Sequence, residues 1–119
     1  LHDNGDDTNN SSPVLLLSFK KFDILFTGDI EKKAEDMLLE SGSSKDIEIL
    51  KVAHHGSKNS TSSAFLKQFK PEAAIIKVGK NNYGHASLEV INNLYNKKKL
   101  ESNDSSFYSN FPHTFYSVK

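Results

Sequence analysis

Three apolar runs, residues 22–27, 47–53 and 73–78, each break off into a polar loop that carries glycine and a side chain able to bind a cation or move a proton. Asp29 follows the first run, His54 and His55 the second, and His85 the third. Between the runs the apolar spacing turns helical. Ala34, Met37 and Leu38 recur over residues 31–41, with Gly42 as a stop, and Phe65, Leu66 and Phe69 recur before Pro71. Ser60 or Thr61 is expected to cap that second helix, and Ser87 a third that places Leu88, Ile91 and Leu94 on one stripe and ends in Lys97, Lys98 and Lys99. An earlier run over residues 14–19, separated from the first by Lys20 and Lys21, reads as the other arm of a hairpin, and residues 114–118 as a last strand. The order β-β-α-β-α-β-α-(β) implies an α/β fold. In such sheets ligands sit outside the carboxyl ends of the strands. If the strands are parallel neighbours, Asp29, His54, His55 and His85 gather at one edge.

Composition narrows the function classes. A chain of 119 residues is one small domain or part of a larger one, and the absence of an initiator Met suggests a processed chain, an excised domain or a fragment. Residues 1–12 are rich in Asp, Asn and Ser and read as a loop or frayed end, with residues 13–119 as a single partial domain. The polar start is not a signal peptide, and no apolar run is long enough to span a membrane. Without cysteine there is no disulfide scaffold and no thiol nucleophile. Fifteen lysines balance fifteen acids and there is no arginine, so no basic footprint or bidentate clamp marks a polyanion site.

Each candidate side chain has a plain reading beside the chemical one. Asp29 can bind or bridge cations, or it can cap the helix beginning near Ile30. His54 and His55 follow a buried strand, so at least one faces the loop side, as a zinc or manganese ligand or proton carrier; otherwise both bond only to backbone. Gly56 permits close backbone approach there. Ser57, Ser60 and Thr61 bring hydroxyls and helix N-terminal amides that suit an anion. The segment from Gly79 to His85 has the glycine spacing of a phosphate loop but lacks its Lys-Ser/Thr ending, so nucleotide binding is rejected. Asn82, Tyr83 and His85 remain as hydrogen-bonding groups, or as members of an ordinary turn. Ser57 has no G-x-S-x-G elbow, which leaves a serine hydrolase with little support. His2 and His113 are expected to be solvated.

Taken together, Thr27-Gly28-Asp29-Ile30-Glu31, Lys51-Val52-Ala53-His54-His55-Gly56-Ser57 and Asn81-Asn82-Tyr83-Gly84-His85 resemble the C-terminal half of metallo-β-lactamase-fold hydrolases. The likeness is to the hydrolase domain of ComEC-type competence (DNA-uptake) proteins, over roughly residues 11–100. It implies an αββα sandwich with one or two zinc or manganese ions acting on a phosphodiester, plausibly nucleic acid. By that resemblance Asp29 bridges the metals, His55 is a ligand and His54 faces the substrate. His85 is a substrate-side donor or general acid, while Ser57 and Thr61 help seat a phosphate. The H-x-H-x-D-H motif that supplies most of the family's ligands is missing. This chain is thus expected to hold part of a metal site, completed by an N-terminal half or a second chain. A truncated, non-catalytic binding module is the alternative. The location would be cytoplasmic for a free hydrolase and extracytoplasmic for part of a membrane protein. Alone, a half-sandwich is expected to leave one sheet face bare.

Overall fold

Val14 and the apolar residues that follow it run into a tight reversal. In the computed structural model, β1 (Leu15–Phe19) pairs antiparallel with β2 (Phe22–Phe26), with Phe19 opposite Phe22. That register leaves Lys20 and Lys21 as a two-residue turn, and Lys20 takes the left-handed φ of 56° such turns require. The structure describes residues 5–101 and 115–118, with side chains described over 8–95. From β2 the chain alternates: α2 (Lys32–Glu40), β3 (Ile49–Lys51), a 3-10 turn (Ala53–Gly56), α3 (Ser63–Phe69), β4 (Ala73–Lys77), α4 (Leu88–Glu101) and β5 (Phe115–Val118). The sheet is five-stranded in the order β1-β2-β3-β4-β5, and every pairing after the hairpin is parallel. Right-handed crossovers between successive parallel neighbours put their helices on one face of the sheet.

The core lies beneath those helices. Leu25, Leu50, Ala74 and Ile76 from the strands pack with Phe65, Leu66 and Phe69 of α3 and with Val90 and Leu94 of α4. Because strand side chains alternate, the same strands turn Ile24, Ile49 and Ile75 to the opposite face. There the hairpin adds Leu15, Leu17, Phe19, Phe22 and Phe26, which are 39–70% exposed. The bare sheet face expected from sequence is therefore observed.

Several local expectations change. Residues 1–12 were expected to be a loop, yet Gly5–Asn10 form a short helix, α1. It has no apolar period to announce it. Its last residue acts elsewhere: Asn10 Oδ1 accepts the backbone N–H groups of Glu31 at 3.1 Å and Ala34 at 3.0 Å, capping α2 from a distance. Asp29 is consequently not the cap, since the N-cap position is Glu31. The cap of α3 is Ser62, whose hydroxyl accepts from Phe65 N–H, in place of Ser60 or Thr61. Ser87 does accept from Val90 N–H at the start of α4. The third strand is shorter than the apolar run that signals it, because the chain leaves the sheet at Val52. His2, His113, the side chains of Lys97, Lys98 and Lys99, and most of the C-terminal stretch lie outside the described residues.

Candidate functional site: an Asp–His edge at three strand ends

The carboxyl ends of β2, β3 and β4 lie side by side, so the loops that follow them share one edge of the sheet. The first loop holds Asp29. Gly28, at φ 51°, gives its carbonyl to His54 N–H at 3.0 Å and so fastens the first loop to the second. The second loop is the 3-10 turn. His54 (φ 46°, ψ 47°) and His55 (φ 55°, ψ 24°) are both left-handed, which costs an L-residue about 1–2 kcal/mol each. Strain of this kind gathers where side-chain direction matters more than backbone comfort.

Each imidazole is oriented through Nδ1. His55 Nδ1 lies 2.8 Å from the carbonyl oxygen of Lys77, which can only accept, so Nδ1 carries the proton and Nε2 presents a lone pair. That Nε2 stands 4.0 Å from Asp29 Oδ1, and both side chains are close to half exposed. His54 Nδ1 meets the Glu31 carboxylate at 3.0 Å. A backbone carbonyl or carboxylate behind an imidazole is the arrangement that fixes the tautomer of metal-ligating and proton-carrying histidines. His85 completes the group, its ring centroid 5.2 Å from that of His54 and 6.2 Å from that of His55. Burial, then the neighbouring His54 and His55, hold His85 below its ordinary pKa against the pull of Asp29. These surroundings favour the neutral ring, which has one N–H to donate. Burial also lowers the amine of Lys51 on β3, Asp29 opposing and Lys77 adding to the shift.

The Asp29–His55 pair sets an imidazole nitrogen beside a carboxylate. Their Nε2 and carboxylate oxygens are donor types that zinc or manganese takes, but two bonds of about 2.1 Å at a tetrahedral angle span only about 3.4 Å, so the pair would have to close from 4.0 Å to share an ion. Among the described residues no group of three or more such side chains is placed to hold an ion.

The expected phosphate seat is different. Its amides exist, but their anion is internal: Glu35 of α2 accepts from Thr61 N–H and, at 3.1 Å, from Ser62 N–H. Thr61 is 1% exposed, and Ser57 is buried with its hydroxyl accepting from Asn59 N–H. Neither presents a free donor at the edge. Gly56 does permit a close approach, but of Ala86 and not of a ligand: a Cβ at Gly56 would lie 2.7 Å from Ala86 Cβ, and the residue sits at φ 79°. Asn82 and Tyr83 are exposed, with the Tyr83 ring 5.7 Å from that of His85. The loop's organiser is Asn81, missed from sequence. Its Oδ1 accepts from His85 N–H and Tyr83 N–H, and its Nδ2 donates to the carbonyls of His85 and Gly79. Glu31 was also missed as the partner of His54. The only advance signal was its place in the Thr-Gly-Asp-x-Glu turn.

No protein-family model and no solved structure matches the chain. Curated proteins do. Over 84 residues, 70% of the chain, it is 42% identical to ComE operon protein 3 of Bacillus subtilis. Over 96 residues, 80% of the chain, it is 36% identical to Recombination protein 2 of Haemophilus influenzae, and over 88 residues, 72%, it is 35% identical to competence protein ComA of Neisseria gonorrhoeae. The chain spans only 11–13% of the length of these relatives. No helix among the described residues is long and apolar enough to cross a membrane.

Proposed function

We propose that this chain forms the C-terminal half of a metallo-β-lactamase-like αββα domain in a DNA-uptake protein, and that its Asp–His edge is part of a metal-dependent phosphodiesterase site. The observation carrying this reading is the convergence of Asp29, His54, His55 and His85 from three separate strand ends. The bare apolar face supports it, because a sheet with Phe19 70% exposed is shaped to be covered by a second layer. Similarity to a protein named for competence supports a role in DNA uptake, and nucleic acid is the substrate this reading assigns.

Asp29 and His55 would hold a zinc or manganese ion, with the remaining ligands supplied by the other half of the domain or a second chain. When bound, the ion supplies electrophilic assistance to a phosphodiester. His54, steadied by Glu31, directs Nε2 toward the same edge and can accept or return a proton there. His85, as the neutral ring its surroundings favour, donates a hydrogen bond to a substrate oxygen, and Asn81 fixes its backbone for that purpose. Asn82 and Tyr83 form the exposed rim that a nucleotide chain would touch.

The test is hydrolysis of single- and double-stranded DNA with Mn2+ by the two half-domains together. D29A should abolish cleavage, because it removes the carboxylate that would hold the ion. Full activity in D29A contradicts the reading. A non-catalytic module of the same fold is the second reading, favoured by the two-ligand limit among the described residues. Metal binding without cleavage would support that one instead.

A further inference from the structure

Glu35 plays no part in the chemistry above, yet it is 1% exposed and ionisable. Burial pushes its carboxyl above the ordinary value, opposed by the hydrogen bonds from Ser62 and Thr61, so an ionisable group is kept here at a desolvation cost. What the carboxylate holds is the return of the histidine loop. It accepts from Ser62 N–H and from Thr61 N–H, and Thr61 is itself left-handed at φ 55°. One residue earlier, the Ser60 hydroxyl lies within hydrogen-bond distance of the Ala53 carbonyl at 3.1 Å and the Ser57 carbonyl at 3.0 Å, closing residues 53–60 into a braced unit around His54 and His55. The Asn59 carbonyl accepts from Lys32 N–H at 2.9 Å, and Glu31 reaches His54. Every one of these ties to α2 lies within its first turns.

We propose that Glu35 is the positioning residue of the histidine turn, clamping the Thr61–Ser62 amides to α2 so that His54 and His55 keep the directions their strained backbone gives them. Its functional meaning rests on the metal-site reading; its geometry does not. A near-isosteric glutamine offers one acceptor oxygen and turns an NH2 group toward the other amide. A structural side chain that merely fills space would tolerate this exchange, whereas a clamp would not.

The experiment compares the 119-residue chain with its E35Q and E35D variants by NMR at neutral pH. In E35Q, exchange of the Thr61 and Ser62 amides should rise by about tenfold or more. The ring resonances of His54 and His55 should shift while the methyl resonances of Leu50 and Val52 stay in place. E35D, which keeps the carboxylate, should return part of the ring shift. In a Zn2+ titration the His55 ring of E35Q should respond only at several-fold higher zinc. Unmoved histidine rings in a folded E35Q chain overturn the proposal, and so does global unfolding of E35Q, which would make Glu35 a general structural residue. If zinc leaves the wild-type rings untouched while E35Q still displaces them, the metal-site reading fails and the positioning role stands.

Discussion

The two faces of the sheet come from the same strands and meet opposite fates. Leu25, Leu50, Ala74 and Ile76 are closed in under α3 and α4, whereas on the other face Ile24, Ile49 and Ile75 are only half-buried and the hairpin's Leu15, Leu17, Phe19 and Phe22 stand open. These strands thus carry apolar side chains on both faces, and the described helices cover one of them. The Asp–His edge sits at the carboxyl ends of the same strands. Under the proposed reading, the missing ligands and the open sheet face have one cause.

The comparison can be broken most forcefully by truncation. Leu50→Ala, at 1% exposure, should destabilise the chain by about 2–5 kcal/mol in urea unfolding. Leu17→Ala on the open face, at 53% exposure, should change stability by less than about 0.5 kcal/mol and reduce self-association in sedimentation. Comparable losses in both would mean that the open face is covered in solution. Gly56→Ala comes next. Its Cβ would meet Ala86 at a left-handed φ, with no flexible side-chain end to yield, so a loss of about 1–3 kcal/mol is expected, with displacement of the His85 ring resonance.

Acid sharpens the account more gently. Glu35 has a folded pKa above its unfolded one, so the folded state binds the extra proton. Its favourable contribution is complete below the ordinary glutamate value and disappears as pH rises through the raised one. Stability curves of wild type and E35Q should differ in slope within that window and run parallel above it; identical slopes would show that Glu35 does not titrate as its burial requires. The smallest effect belongs to the exposed Lys32–Asp36 pair, 3.1 Å apart, where Lys32→Ala should cost no more than about 0.5 kcal/mol.

Much of this was legible in the chain. Short apolar runs and helical stripes marked the element order, and the hairpin was visible despite a Lys-Lys turn, because strand pairing outweighed the turn's weak local preference. Parallel adjacency then brought Asp29, His54, His55 and His85 together as their positions after the strands implied. What the sequence could not show were contacts made across it. Asn10 caps a helix more than twenty residues on, and Glu35 occupies amides that local spacing had assigned to a phosphate. Asn81 and Asn82 look alike in sequence, and only the folded loop separates the organiser from the rim.

The most direct measurement is a Zn2+ titration of this chain followed through the His54, His55 and His85 ring resonances, repeated on D29A and H55A. The account predicts that His55 responds first, and that either substitution weakens the response at least about tenfold, as loss of one of two ligands requires. A zinc response that is unchanged in both variants, or one that begins at His85 and bypasses His55, would contradict it.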